Sequence, residues 1–281
     1  MTLAARELHL TQSGISQHIK TLEDTLGFPL FDRVQKRLLP TSHAHSLYGT
    51  TSESLDKIES TLSELRGEKN MLRGLVRIGV PSEFGINVVL PHLAEFGTKN
   101  PGVDVRVTTE FSSEVIDQIL LGEIDFGFID EFQSHKRVFA ERVWDEVLEL
   151  CVHKDLLKKW GTPQNSYSYF EKLEYVDYGP GEQVIRAWVK HHFGERNATL
   201  RTRATIREAQ GVARLILKKL GAGVLPDHLV SKLIADGEPL VRLAGSGKPL
   251  KNAISIAFLQ EKTQSPAVQA LIPFLQKSLR L

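Results

Sequence analysis

The sequence predicts an N-terminal helical segment followed by a larger α/β module made of two units. Apolar residues recur at helical spacing over roughly the first quarter of the chain, and from Leu75 onwards strands alternate with helices. The 281 residues are also enough for two or three domains, each with its own core.

The first elements are two short helices. From Thr2 to Leu26 the apolar residues follow helical spacing with a break near Leu10, which predicts two helices and a tight turn. Thr11 is expected to cap the second helix, and Gly27 is expected to end it in a left-handed conformation. Ala5 is small enough to let the helices cross closely. The side chains expected to face inward are Leu8, Leu10, Ile15, Ile19 and Leu22.

The outward face of the second helix is polar. It consists of Gln12, Ser13, Ser16, Gln17 and Lys20. Short hydroxyl and amide side chains can reach base edges or phosphates in a DNA major groove. A helical hairpin with a solvated polar face would show the same spacing, so the spacing alone leaves both interpretations open.

The next segment, from Phe28 to Pro40, has paired apolar residues around a small basic cluster, which is typical of a β-hairpin. The basic residues are Arg33, Lys36 and Arg37. They are placed to bind phosphates beside a groove, although they could equally keep a hairpin soluble.

A long helix is predicted from Ser42 to Lys69, followed by a polar linker from Gly67 to Gly74. Its apolar residues are spaced three, four and three apart, and they are Leu55, Ile58, Leu62 and Leu65. A seam of this kind favours packing against another helix.

The α/β module follows, with the alternation that is typical of parallel sheets. The predicted strands are Leu75–Val80, Val103–Phe111, Phe126–Ile129, Val147–Val152, Tyr175–Tyr178, Leu200–Ile206, Val224–Leu225 and Ile254–Leu259. The predicted helices are a segment carrying Val88 to Phe96, then Ser113–Leu121, Glu182–Phe193, Arg207–Leu220, Asp227–Asp236 and Pro266–Leu279.

Composition and motifs exclude several classes of protein. The single cysteine, Cys151, rules out an intrachain disulfide and a four-cysteine zinc site, and it is expected to be buried. No stretch approaches the roughly 18 apolar residues of a membrane span, and the N-terminus lacks a secretory signal, so we expect a cytoplasmic protein without a membrane partner. His191 and His192 are adjacent, cannot chelate a metal together, and are expected at the surface. No catalytic motif or cofactor signature is found, which predicts that the chain is not an enzyme.

The run AARELHLTQSGISQHIKTLEDTLGFPLFDR, residues 4–33, resembles the DNA-binding signature of LysR-type transcriptional regulators nearly position by position. IDFGFID (Ile124 to Asp130) and LGAGVLP (Leu220 to Pro226) resemble recurring segments of the family's effector domain. The resemblance implies an N-terminal winged helix-turn-helix and a dimerising linker helix, followed by α/β structure in two subdomains like those of periplasmic binding proteins. It also implies a homodimer or homotetramer that binds promoter DNA and responds to an unidentified small-molecule effector.

By this resemblance the domains are residues 1–41 (winged helix-turn-helix), 42–73 (dimerising helix and linker), 74–152 with 255–281 (effector subdomain I) and 153–254 (effector subdomain II). Family members usually carry about one further helix before the position of Thr2, so either the start codon is placed too late or the chain lacks this helix. The helix-turn-helix as given is expected to be incomplete at its N-terminus and to bind DNA weakly or not at all. A freestanding small-molecule-binding protein that has lost DNA binding is the alternative.

The effector site is expected beyond the carboxyl ends of the strands, where open α/β sheets bind ligands. The positions that fit this placement and resemble the family's effector contacts are Ser82, Ser112, Ser113, Ile129, Asp130, Gly179, Thr205 and Ile206. Each serine could equally be an ordinary helix cap. Glu83, Asp130 and Glu131 add negative charge that would suit a ligand bearing an amine, although solvated loops carry such charges too.

Overall fold

The computed structural model describes residues 2–34, 37–65, 72–130, 135–179, 181, 183–260 and 262–279. The N-terminal segment contains a helix pair, a two-stranded hairpin and a long helix. These elements are α1 (Thr2–Glu7), α2 (Gln12–Leu26), β1 (Phe31–Val34), β2 (Arg37–Pro40) and α3 (Ser42–Leu65). The predicted basic hairpin is confirmed, because β1 and β2 pair antiparallel from Phe31 opposite Pro40 to Val34 opposite Arg37.

Both ends of α2 form as predicted. The Gly14 N–H donates to Thr11 Oγ1 at 3.1 Å, and Gly27 has a φ of 77°. The Glu23 carboxylate then accepts from the N–H groups of Leu30 and Phe31 at 2.7 and 3.0 Å. These bonds fix α2 against the start of the hairpin.

The apolar face of the helix pair is less covered than predicted. Leu8, Leu10 and Leu22 are 62%, 45% and 40% exposed, so the prediction that they face inward is wrong. The physical reason is that α1 has six residues, less than two turns, and covers only the part of α2 near Ile15.

In the described residues the α/β module contains nine strands and, besides several short turns of helix, six helices of nine or more residues, each of which follows a strand. The strands are β3 (Arg73–Val80), β4 (Gly102–Thr109), β5 (Phe126–Ile129), β6 (Val138–His153), β7 (Glu174–Asp177), β8 (Arg201–Thr205), β9 (Gly223–Pro226), β10 (Leu240–Leu243) and β11 (Leu250–Leu259). The helices are α4 (Ser82–Phe84), continued by a π-helical turn (Gly85–Val89), α5 (Leu90–Lys99), α6 (Ser112–Leu121), α7 (Leu157–Trp160) after a 3₁₀ turn (Lys154–Leu156), α8 (Tyr167–Phe170), α9 (Gln183–Phe193), α10 (Ala209–Leu217), α11 (Asp227–Ala235) and α12 (Pro266–Leu279).

The large sheet is mixed, and this corrects the expectation of parallel sheets. β3 is parallel to β4 and β5, and β7 is parallel to β8, because helices connect these strands. β11 is antiparallel to β5 and β6, while β9 and β10 are antiparallel to β6. β6 and β11 therefore run through both units, and their pairing joins subdomain I, built on β3 to β5, to subdomain II, built on β7 to β10.

The strand limits in the structure differ most from the predicted ones in strands that pair with distant parts of the chain. β6 begins at Val138, well before the predicted Val147, and β10 was not predicted. The predicted linker from Gly67 to Gly74 lies mostly outside the described residues. Its last two residues belong to β3, because Arg73 pairs with Gly102 on β4.

His192 belongs to the core of subdomain II, which corrects its predicted surface position. It is 9% exposed, its ring centre lies 4.4 Å from that of Trp188, and Nδ1 lies 2.7 Å from the Ser246 carbonyl oxygen. Trp188 and His192 are four residues apart, so they share the buried face of α9. His191 is exposed, and the burial of Cys151 is confirmed.

Gly127→Ala should destabilise subdomain I. Gly127 pairs with Gly79 across β5 and β3, and an added Cβ would lie 2.4 Å from Val115 Cγ1 and 2.7 Å from the Gly79 carbonyl oxygen. We expect a loss of about 1–3 kcal/mol of unfolding free energy. Gly97→Ala in α5 is the control, because its Cβ meets nothing within 4 Å and alanine favours a helix by about 0.5–1 kcal/mol. Chemical unfolding followed by tryptophan fluorescence measures both variants, and equal midpoints would contradict the packing argument.

Candidate functional site

A cavity of about 610 Å³ lies between subdomains I and II. Its walls come from the segments that follow β3, β4, β5, β7 and β8, and its floor comes from β6 and β11. The carboxyl ends of these parallel strands therefore meet at one place, as in other open α/β sheets.

Five of the predicted effector residues line this cavity. They are Ser82, Ser112, Ser113, Asp130 and Gly179. Ser112 is 2% exposed, and its Oγ accepts a hydrogen bond of 2.9 Å from the Asp130 N–H, so it ties the start of α6 to the end of β5.

The other three predicted effector residues lie elsewhere. Ile129 is 2% exposed and packs in the apolar core formed by α6, β5 and β11. Thr205 and Ile206 are exposed and do not line the cavity, and Ile206 donates its N–H to the Asp177 carbonyl oxygen at 2.9 Å. Glu131 lies outside the described residues.

Sequence reasoning missed the floor of the cavity. Glu146 on β6 and Asn252 on β11 lie directly opposite each other in the antiparallel register, and both are 7% exposed. The available signal was a carboxylate and an amide within two otherwise mostly apolar strand segments. Without the strand pairing, however, neither residue could be assigned to the site.

Glu146 and Asn252 form a buried polar pair. Asn252 Nδ2 donates to Glu146 Oε2 at 3.2 Å, while Asn252 Oδ1 is buried without a hydrogen-bond partner. Burial raises the pKa of Glu146 to about 7, against the opposing effects of the Asn252 bond and His228, and the charges of Glu83 and Asp130 raise it further.

Glu83 connects the two subdomains. This carboxylate lies in α4 and is 8% exposed. It accepts a hydrogen bond of 2.7 Å from Asn87 Nδ2, which belongs to the same subdomain. Across the cleft Gln210 Nε2 donates to Glu83 Oε2 at 2.9 Å, and His228 Nε2 lies 3.3 Å from Glu83 Oε1. The Glu83 carboxylate raises the pKa of His228, and burial of the ring opposes this effect.

Arg207 forms a second link across the cleft. Its guanidinium pairs with Glu114 of α6, and Cζ lies 4.3 Å from the ring centre of Phe111. Glu83 and Arg207, which both line the cavity, thus each contact side chains of the other subdomain.

The predicted DNA-contacting residues lie on one face of α2. Gln12, Ser13, Gln17 and Lys20 are exposed, and Ser16 is partly exposed. Arg33 and Arg37 occupy opposite strands of the hairpin, close to its turn. Their side chains, and Lys36 as a whole, lie outside the described residues.

The predicted dimerisation seam on α3 is exposed in the single chain. Leu55, Ile58 and Leu62 are 56%, 55% and 45% exposed, and the Leu65 side chain lies outside the described residues. Within the described part of the chain, no cluster of three or more metal-binding side chains is present, and no helix is long and apolar enough to cross a membrane.

Comparison with known proteins identifies the family. The profile of the "LysR substrate binding domain" matches residues 69–280, and that of the "Bacterial regulatory helix-turn-helix protein, lysR family" matches residues 1–45. The chain belongs to the LysR family of transcriptional regulators. This finding confirms the resemblance read from residues 4–33, together with the two α/β subdomains that it implied.

Curated relatives of this LysR family member are similar over nearly their whole length. The probable HTH-type transcriptional regulator LrrA of Synechococcus elongatus is 26% identical over 98% of this chain and 90% of its own length. The RuBisCO operon transcriptional regulator of Allochromatium vinosum is also 26% identical, over 98% of this chain and 89% of its own. These proteins are transcriptional regulators and not enzymes, as predicted for this chain.

Solved structures share the fold. ArgP from Mycobacterium tuberculosis has a TM-score of 0.75 at 18% identity, with 98% of this chain and 90% of that chain covered. Full-length CbnR complexed with its target DNA has a TM-score of 0.63 at 20% identity, with 98% and 93% covered. LysR-type regulators as a family bind promoter DNA and small-molecule effectors and form oligomers.

Glu146→Gln should stabilise this LysR family member at about pH 8 but not at about pH 5. Because the pKa of Glu146 is about 7 in the fold and near 4.5 when unfolded, its ionisation costs stability that is absent below the unfolded pKa and grows as the pH rises through 7. We expect a gain on the order of 2 kcal/mol at the higher pH. Glu195→Gln, at an exposed position, is the control. The same change in melting temperature at both pH values would contradict the burial argument.

Proposed function

We propose that this LysR family member is a cytoplasmic regulator that contacts promoter DNA through α2 and the hairpin, assembles through α3, and binds its effector in the inter-subdomain cavity. The domain limits proposed from the sequence go with this assignment: 1–41, 42–73, 74–152 with 255–281, and 153–254. The observation that carries the proposal is the cavity itself, because side chains of both subdomains close it and its floor strands belong to both. A ligand held there contacts both subdomains at once and can therefore change their arrangement.

The DNA-binding part of the proposal rests on the exposed face of α2. The proposed base-edge and phosphate contacts are Gln12, Ser13, Ser16, Gln17 and Lys20, with phosphate contacts from Arg33, Lys36 and Arg37. Thr11 and Gly27 fix the ends of α2, and Glu23 fixes its angle to the hairpin. In this proposal the polar face of α2 enters a groove and the hairpin contacts the flanking backbone.

Gln17→Ala should relax sequence preference at one base pair of the operator. A glutamine amide can bind adenine through two hydrogen bonds, and each such pair is worth about 1–3 kcal/mol of discrimination. Binding to a panel of operator variants, measured by fluorescence anisotropy at fixed salt, tests this expectation. Gln164→Ala, an exposed amide in subdomain II, is the control. Identical discrimination by the Gln17 and Gln164 variants would remove Gln17 from the base-contact set.

The oligomer part of the proposal rests on the apolar seam of α3. Leu55, Ile58 and Leu62 share one helical face and are about half exposed in the single chain, and Leu65 continues their spacing. A symmetric contact buries each side chain twice, at roughly 1.5–3 kcal/mol for each burial. We therefore propose that α3 forms the dimer contact, either of a homodimer or within a homotetramer.

Leu62→Asp should weaken the oligomer, because it places a charge in the centre of the proposed seam. Ser46→Asp is the matched control, since this exposed residue projects from the opposite face of the same helix. Analytical ultracentrifugation over a range of protein concentrations should show dissociation for the Leu62 variant alone. An unchanged oligomer in both variants would exclude the seam.

The effector part of the proposal keeps the residues that line the cavity. Ser82, Ser112, Ser113, Asp130 and Gly179 are the proposed effector contacts carried over from the sequence. Ile129, Thr205 and Ile206 are left out because their positions do not border the cavity. Glu146 and Asn252 are added because they form its floor.

A further inference from the structure

We infer that the effector is a small amine whose protonated nitrogen binds to Glu146 and Asn252 on the floor of the cavity. This inference rests on the proposed effector role of the cavity and names the chemical class of the ligand. Three observations lead to it: an unpartnered acceptor, the balance of charge, and the apolar side chains in the lining.

The unpartnered acceptor is Asn252 Oδ1. The Asn252 side chain is 93% buried, lines the cavity, and uses its Nδ2 to donate to Glu146 Oε2 at 3.2 Å. Its Oδ1 accepts no hydrogen bond. A buried acceptor without a partner is costly, so this atom favours a ligand that donates a hydrogen bond.

The charge of the cavity is strongly negative. Among the residues that the structure describes, the lining contains one basic side chain and five carboxylates. The carboxylates belong to Glu83, Glu110, Asp130, Glu146 and Glu208. The basic side chain, Arg207, is already paired with Glu114. Glu208 caps α10 through a bond of 2.6 Å to the Gly211 N–H. Glu83 and Glu146 lie near the floor, and Glu83 is also in contact with Gln210 and His228 of subdomain II.

A protonated primary amine satisfies this arrangement. An ammonium group offers three donors and no acceptor, whereas a carboxylate ligand would bring only acceptors to an acceptor-rich floor. One donor can meet the Glu146 carboxylate, and a shift of the Asn252 side chain would bring its buried Oδ1 to a second donor. A buried cation beside several carboxylates also offsets their mutual repulsion.

Apolar side chains in the lining fit the rest of a small ligand. They belong to Phe84, Phe111, Leu148, Val184 and Ile254, and they lie among the polar residues of the same lining. The volume of about 610 Å³ lies within the range of small-molecule sites. The structure therefore favours an amine with an apolar body over a highly charged polyamine.

The same geometry predicts how the amine acts on the fold. Glu83 is held from subdomain II by Gln210 at 2.9 Å and lies 3.3 Å from His228 Nε2. An ammonium group near Glu83 competes with His228 for its carboxylate. Binding should therefore change a contact between the subdomains as well as fill the cavity.

Binding should strengthen as the pH rises from about 6 to about 8. The groups facing Glu146 are Asn252 on β11, His228 on α11, Glu83 on α4, Asp130 after β5 and Tyr178 after β7. With the pKa of Glu146 at about 7, its carboxylate gains charge over this interval. An aliphatic amine stays protonated throughout.

The test uses three matched probes on the full chain: phenethylamine, 3-phenylpropionate and 2-phenylethanol, which are cationic, anionic and neutral. Binding is measured by isothermal titration calorimetry at about pH 8 and about pH 6. We expect the amine to bind more tightly than the other two, and more tightly at the higher pH. Tighter binding of the carboxylate or the alcohol overturns the amine assignment but keeps the cavity as an effector site.

Variants locate the binding. Glu146→Gln keeps the shape of the floor and removes its charge, and Asn252→Leu removes the acceptor, so each should weaken amine binding roughly 10- to 100-fold. Glu195→Gln is the control for loss of one surface charge. If Asn252→Leu does not fold, Glu146→Gln decides the question. Amine binding that survives in Glu146→Gln overturns the inference, and no binding of any probe up to millimolar concentration overturns both the inference and the effector role of the cavity.

Discussion

The antiparallel pairing of β6 with β11 is the constraint on which the rest of the effector module depends. These two strands contribute to both subdomains, and their register places Glu146 opposite Asn252 at the centre of the cavity. The pairing also determines where the carboxyl ends of β3, β4, β5 and β7 converge. A shift of one residue in this register would place the two polar side chains on opposite faces of the sheet, because successive residues of a strand face opposite sides.

The local elements could be predicted because they depend on short-range rules. Thr11 and Gly27 limit α2 through caps that need only a few neighbouring residues, and the strand from Phe126 to Ile129 is a short apolar run between turns. The failures are long-range. The early start of β6 and the mixed sheet depend on pairing with β11, which lies about a hundred residues further along the chain. His192 was misplaced for the same reason, since its burial depends on a contact with the distant Ser246 carbonyl.

The same distinction between short-range and long-range rules applies to the residues of the candidate site. Residues that follow a strand, such as Ser82 and Asp130, could be predicted because every parallel strand ends at the same edge of the sheet. Residues inside a strand could not, because their side depends on the register. Ile129 shows the limit of the rule, since it is the last residue of β5 and its side chain faces the core, while the next residue, Asp130, reaches the cavity.

The buried carboxylate of Glu146 connects stability to ligand binding. Removing a carboxylate from water without a matching cation is unfavourable, which is why its pKa rises to about 7. Asn252 offers only one donor to it and leaves its own Oδ1 without a partner. A cation would bind both atoms, so ligand binding would relieve the unfavourable free energy of burying them without partners. Because these atoms lie on β6 and β11, the strands that join the subdomains, this gain in free energy can favour one arrangement of the two subdomains over another.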